Sequence, residues 1–182
     1  MPYIPLEEHL PGITGLLEYR QDSAAPIREL TQILLRGPSS LTEGERELIA
    51  TIVSSRNQCK FCTAAHTAAA NVLLGESETS EKVKENIITA PVSEKMKALL
   101  TIASQVQQSG KNVTSESIQK AKDEGATDIE IHDTVLIAAT FSMFNRYVDG
   151  LASWTPTDPP VYEEMGKRMA KGYVLPQTTT AT

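Results

Sequence analysis

Apolar side chains recur every three or four residues along most of this chain, which is the spacing of a helix face. Nowhere do apolar and polar residues alternate for five residues, so the pattern predicts no strand. We therefore predict one all-α domain of about seven or eight helices. The predicted helices span about 26–36, 42–56, 59–74, 81–88, 93–109, 115–124, 128–149 and 161–171.

Helix ends are marked by residues with known end preferences. Gly37-Pro38 ends the first helix, because proline cannot continue a helix and the residue before it avoids helical dihedrals. Thr42, with Glu45 three residues later, forms the capping-box pattern that opens the second helix. Gly75 ends the alanine-rich helix that begins near Cys59, and Asp128 is the predicted cap of the long helix.

The segments outside the helical region differ from it in composition. Residues 1–23 contain Pro2, Pro5 and Pro11 with few periodic apolar residues, which predicts an extended N-terminal arm. Residues 24–172 form the predicted helical catalytic domain, and residues 173–182, rich in threonine, a flexible tail. A chain of 182 residues is long enough for one well-cored domain.

Composition and charge exclude several classes of partner. The formal net charge is −6 and no run of lysine or arginine stands out, so we expect no nucleic-acid partner. No apolar stretch is long enough for a membrane span, and the N-terminus lacks the pattern of a signal peptide. These features predict a cytoplasmic protein, in which two cysteines indicate chemistry or metal binding more often than a structural disulfide.

The candidate chemistry lies in one short segment. Cys59, Cys62 and His66 stand at positions i, i+3 and i+7, which share one face of a helix. At the start of that helix, free N–H groups and the helix dipole favour a thiolate. The segment therefore predicts a dithiol that cycles to a disulfide.

A carboxylate is predicted to lie beside the histidine. If residues 42–56 and 59–74 form an antiparallel hairpin, Glu47 and His66 are about equally far from its turn and face each other. A Glu–His pair next to thiols can accept a proton from a thiol. The predicted relay is Glu47–His66–Cys62, since Cys62 and His66 are i, i+4 neighbours.

Three other interpretations stay open at this level. The two cysteines and His66, with Glu47 as a fourth ligand, could hold a structural metal ion. The thiols could also be inert and buried. In a third interpretation, Glu47 and His66 act as acid and base on a lactone. Other polar residues carry no assigned role: His132 more often caps or packs, and Asn145, Arg146 and Asp149 could bind the site helices, a second subunit or solvent.

With these residues the sequence resembles the alkylhydroperoxidase D-like family of the carboxymuconolactone decarboxylase superfamily. The resemblance rests on Glu47 twelve residues before Cys59, the Cys-x-x-Cys pair and His66, and covers about residues 25–152. Flanking segments are similar to the branch usually called peroxidase-related. They are Leu35-Arg36-Gly37-Pro38-Ser39, Glu45-Arg46-Glu47-Leu48-Ile49-Ala50, Phe144-Asn145-Arg146 and Asp149-Gly150-Leu151.

The resemblance implies an all-helical homo-oligomer that reduces hydroperoxides with electrons from a thiol or a protein donor. It implies that Cys62 is the peroxidatic thiol, Cys59 the resolving thiol, and His66 with Glu47 the proton relay, without a metal or other cofactor. Phe61 departs from the best-studied branch, which carries a second histidine at that position. The lactone decarboxylases of the superfamily are not expected to carry the cysteine pair.

Subunit assembly is predicted from the chain as well. The helix at about 128–149 has apolar residues on more than one face, including the run Val135–Ala139, and must be covered on several sides. A central position in one domain would cover it, and so would a second subunit. The long arm at 1–23 favours assembly, so we predict at least a dimer with the arm crossing the interface near the Cys59 helix.

Overall fold

The computed structural model describes residues 1–174, and within that range the protein consists of helices without a strand. This confirms the predicted fold class. No helix in residues 1–174 is long and apolar enough to cross a membrane. Residues 1–174 contain nine α-helices, and a 3₁₀ turn at Gly110–Asn112 separates the sixth from the seventh. The nine helices are α1 Ile13–Tyr19, α2 Gln21–Arg36, α3 Glu43–Arg56, α4 Lys60–Leu74, α5 Glu78–Glu85, α6 Glu94–Gln108, α7 Ser115–Asp123, α8 Asp128–Gly150 and α9 Pro159–Ala170.

The N-terminal segment differs from the predicted extended arm. It contains α1, which buries Leu16 and Leu17, two apolar residues whose helical spacing from Ile13 the sequence interpretation passed over. Helix α2 begins at Gln21 rather than near Pro26, which lies inside it. Pro26 lies in the second turn of α2 and, having no N–H, cannot donate the helical hydrogen bond to the Asp22 carbonyl.

The segment before α1 packs on its own chain. The Tyr3 N–H donates to the Leu151 carbonyl at 3.1 Å, and the Gly12 N–H donates to the Trp154 carbonyl at 2.8 Å. These contacts place the segment over the end of α8, close to the start of α4. The arm therefore contributes to the wall of its own domain.

Helix α3 forms the centre of the core. Buried residues include Leu48, Ile49, Ile52 and Val53, and they pack against apolar residues of α6 and α8. The predicted capping box at its start is present, with Thr42 and Glu45 bonded reciprocally. A second capping box opens α8, where Thr127 is the cap rather than Asp128.

Helix α9 lies against α4 at a very short distance. A Cβ atom on Gly166 would lie 2.7 Å from the backbone carbonyl of Ala68, so only glycine permits this approach. Ala65 and Ala69 of α4 pack against Met169 of α9 in the same contact. The close packing brings the end of α9, and the residues after it, over the middle of α4.

The predicted tail starts at a residue that packs against the helices. Tyr173 is half-buried, and its backbone N–H donates to the Gln32 side chain at 2.7 Å. Tyr173 is therefore part of the packed structure, and its ring enters the site described below. Residues 175–182, the rest of the predicted tail, lie outside the described residues.

Candidate active site

The hairpin of α3 and α4 brings Glu47 and His66 together. His66 Nδ1 lies 2.7 Å from Glu47 Oε2, the contact predicted from their equal distance to the turn. The turn between the helices is held by a side-chain amide network. Asn145 of α8 donates to Ser54 at 3.1 Å and accepts from Asn57 at 2.8 Å, and Gln107 donates to Asn57 at 2.8 Å. Asn145 thus binds the site helices, one of the alternatives left open for it.

Glu47 is completely buried, and its second oxygen has two further partners. The Arg36 guanidinium and the Tyr173 hydroxyl both donate to Oε1 at 2.5 Å. Burial alone would raise the pKa of Glu47, but His66, Arg36 and the Tyr173 hydroxyl together lower it. Glu47 is therefore an ionised carboxylate whose charge is balanced by Arg36.

This carboxylate determines which nitrogen of His66 carries a proton. An ionised carboxylate can only accept a hydrogen bond, so His66 donates its Nδ1–H to Glu47. In a neutral ring Nε2 is then free to accept a proton. The ring is held by edge contact with Phe141, with centroids 4.5 Å apart, and lies nearly parallel to Tyr173 at 6.3 Å.

Both cysteines are free thiols, and both are buried. Cys59 is the N-cap residue of α4, and Cys62 lies in its first turn. The adjacent Cys62 thiol and burial raise the pKa of Cys59. The Cys59 thiol therefore stays protonated.

An apolar cluster covers the two thiols. It consists of residues from the N-terminal segment, α4, α8 and α9, including Leu6, Ile13, Leu16, Phe61, Val148, Tyr162 and Met165. Gly12, at a φ of 55°, lets the N-terminal segment pass directly over the Phe61 ring, where any side chain would overlap the ring. The cover leaves Cys62 only 3% exposed.

The predicted relay is only partly assembled. Among residues 1–174, no hydrogen bond joins the His66 ring to either thiol, although His66 and Cys62 share a helix face. Side chains at i and i+4 stand about 5–6 Å apart at Cβ, which leaves room for a reacting molecule or water between them. The Glu47–His66 part is in place, and the link to Cys62 is open.

The residues do not converge as a metal site. Within residues 1–174, no three His, Cys, Asp or Glu side chains are grouped as ligands for an ion. Glu47, the predicted fourth ligand, has both oxygens engaged by His66, Arg36 and Tyr173. The proposed four-ligand set is therefore not formed in this arrangement.

Two residues of the site were missed by the sequence interpretation. Arg36 is buried, donates also to the Met169 carbonyl at 2.9 Å, and stacks on the Tyr173 ring at 5.1 Å. The Leu35-Arg36-Gly37-Pro38 segment, which resembles the peroxidase-related branch, could have pointed to Arg36. No sequence feature pointed to Tyr173. Arg146 and Asp149 lie at the surface.

Comparisons with known proteins agree with this fold. The model of the carboxymuconolactone decarboxylase family matches residues 21–90, which include Glu47, both cysteines and His66. No curated protein matches the chain significantly.

Two solved structures share the fold. One is described as an alkylhydroperoxidase AhpD core, an uncharacterized peroxidase-related protein from Ralstonia eutropha JMP134. It has a TM-score of 0.76 and 25% identity, with 86% of this chain and 81% of that chain covered. The other is an uncharacterized peroxidase-related protein from Silicibacter sp. TM1040, with the same TM-score and identity and coverage of 84% and 78%. Over residues 21–90 this chain is therefore similar to the carboxymuconolactone decarboxylase family, and it shares the fold of the two peroxidase-related structures.

Proposed function

We propose that this protein is a thiol peroxidase that reduces organic hydroperoxides. The Cys62 thiolate attacks the terminal peroxide oxygen, the O–O bond breaks, and the alkoxide leaves as an alcohol after accepting a proton. Cys62 becomes a sulfenic acid, which the Cys59 thiol converts to a disulfide with release of water. An external dithiol or a protein donor then supplies two electrons and two protons to restore both thiols.

The observation that carries this proposal is the Glu47–His66 pair on the hairpin that also presents the two free thiols. The ionised Glu47 carboxylate lies 2.7 Å from His66 Nδ1 and accepts its hydrogen bond, which leaves Nε2 free. Such a ring can take the Cys62 proton and return one to the leaving alkoxide. The raised pKa of Cys59 supports its role as the resolving thiol, since it stays protonated while Cys62 reacts.

Phe61 stands where the best-studied branch of the family has a second histidine. Its ring packs in the cover of the thiols and lies 6.2 Å from the Tyr162 ring, so it offers no proton. His66 is then the histidine on which proton transfer rests in this chain. We expect the protein to depend on Glu47 and His66 more strongly than a site with two histidines.

Counting thiols tests the proposal. Reduced protein mixed with cumene hydroperoxide should lose both thiols, and intact mass should show an intramolecular disulfide. Protein alkylated at both cysteines beforehand is the control and should consume no peroxide. If thiols persist under excess hydroperoxide, or if a double Cys→Ser variant acts on a lactone as well as the wild type does, the peroxidase proposal fails.

We also propose that the protein assembles as a homo-oligomer through α8. One face of this helix is exposed at spacings of three and four residues, the a/d spacing by which two helices pack together. The face consists of Ile129, His132, Leu136, Ala139, Met143 and Arg146. A second α8 running antiparallel presents the same face and would cover these apolar residues.

Light scattering tests this assembly. The wild type should have at least twice the chain mass of 19.8 kDa, and Leu136→Glu with Met143→Glu should reduce it to the monomer. Ile88→Glu is the matched control, because Ile88 is equally apolar and 65% exposed but lies off α8. A wild-type mass near 19.8 kDa would contradict the proposal, and so would a double variant that stays assembled.

A further inference from the structure

A cavity of about 340 Å³ lies beside the candidate site, between α1, α2, α4 and α9. We propose that it binds amphipathic carboxylates, and that the preferred hydroperoxide of this protein carries a carboxylate. The second part rests on the proposed peroxidase function, whereas the first does not.

The inner wall of the cavity is mostly apolar. Phe61, Ala65 and Met169 line it and are all buried, with exposed fractions of 6% or less. His66 and Tyr173 line it too, so the imidazole ring paired with Glu47 faces the space. A pocket with mostly apolar walls and a few polar groups is the usual form of a small-molecule site.

The outer rim of the cavity carries three cations, Arg28, Arg168 and Lys171. Arg168 and Lys171 are exposed, and Arg28 is half-buried. Burial and the neighbouring positive charge of Arg168 lower the pKa of Arg28. The negative charge of Glu18 raises the pKa of Arg28. The Glu18 carboxylate accepts a hydrogen bond from the Gln21 side chain and not from Arg28.

The three cations form no direct ion pair with a carboxylate among the described residues. Like charges placed together at the mouth of an apolar pocket are stabilised by an anion that binds between them. This protein has a net charge of −6, so the local excess of positive charge is a property of the site and not of the whole surface.

The cavity also adjoins the thiols. Ile13, Phe61 and Met165 line it and at the same time belong to the cluster that covers Cys59 and Cys62. These three side chains stand between the cavity and the thiols. A molecule with its carboxylate at the rim would then have its apolar part directed inward, toward His66 and the thiol.

Calorimetry with an unreactive pair of ligands tests the binding. Octanoate should bind the reduced protein, and octanol, which has the same apolar chain without the charge, should bind about five- to tenfold more weakly. The double variant with Arg28→Gln and Arg168→Gln should bind octanoate more weakly by a similar factor and should bind octanol as tightly as the wild type does. Lys111→Gln with Lys120→Gln removes the same charge from exposed sites outside the cavity and should change octanoate binding less than twofold.

A kinetic comparison tests the substrate preference. The ratio of kcat/KM for a fatty-acid hydroperoxide to that for its methyl ester should fall about five- to tenfold in the Arg28 and Arg168 double variant. Equal binding of octanoate and octanol overturns the cavity proposal, even if cumene hydroperoxide is reduced. Octanoate binding without turnover of any hydroperoxide leaves the cavity proposal standing and overturns the peroxidase function instead.

Discussion

Replacing Cys62 by serine is expected to abolish hydroperoxide reduction, whereas Cys59→Ser is expected to stop the reaction after its first step. Serine at position 62 removes the nucleophile, so the rate of peroxide consumption should fall at least about a hundredfold. Serine at position 59 leaves the nucleophile but removes the group that forms the disulfide. That variant should consume one peroxide per chain and accumulate a sulfenic acid.

Stopped-flow peroxide consumption and trapping with dimedone separate the two outcomes. Dimedone should label Cys59→Ser after peroxide treatment and should not label Cys62→Ser. Both cysteines are buried at the same end of α4, so each variant serves as the structural control for the other. Labelling of Cys62→Ser at Cys59 would reverse the assignment of the two thiols, and equal rates in both variants would contradict it.

Glu47→Gln is expected to have the next largest effect, about ten- to a hundredfold on the rate of Cys62 oxidation. The carboxylate holds His66 as the tautomer with Nε2 free, and an amide can donate as well as accept. A glutamine N–H directed at Nδ1 would stabilise the other tautomer, in which Nε2 carries the proton. His66 would then be unable to take the proton from Cys62.

The same substitution should lower the free energy of unfolding near neutral pH by about 3–5 kcal/mol, because Arg36 is left buried without its counter-charge. The pKa of Glu47 is lower in the folded protein than in the unfolded chain. Its stabilisation is therefore complete above the unfolded value of about 4.3 and is lost as the pH falls through the folded value. The difference in stability between wild type and variant should be constant above about pH 5 and shrink in acid.

Urea unfolding at a series of pH values measures this difference. Glu43→Gln is the matched control, because Glu43 lies on the same helix, 3.9 Å from the same guanidinium, but is 41% exposed in its side chain. It should cost less than about 1 kcal/mol. A Glu47→Gln effect that persists unchanged in acid, or that equals the Glu43→Gln effect, would contradict the charge role assigned to Glu47.

Local sequence signals were sufficient for most of the helices and for the centre of the site. The capping box at Thr42 and Glu45, the glycine at Gly75 and the three- to four-residue spacing of apolar residues act within a turn or two of helix. They therefore hold wherever the helix packs. The approach of Glu47 to His66 was predictable for a related reason, since a tight hairpin of two helices pairs residues by their distance from the turn.

Tertiary packing decided the surroundings of that pair. Arg36 lies eleven residues before Glu47 and Tyr173 lies 126 residues after it, yet both donate to the same carboxylate oxygen. Tyr173 reaches that oxygen because α9 packs against α4 at Gly166. The same packing forms the cavity and moves Tyr173 out of the predicted tail. The N-terminal segment shows the opposite error, since its prolines indicated an extended arm while burial of Leu16 and Leu17 stabilises a helix. Contacts between residues so far apart in the sequence depend on which helices pack together. The spacing of residues along one helix does not predict that packing.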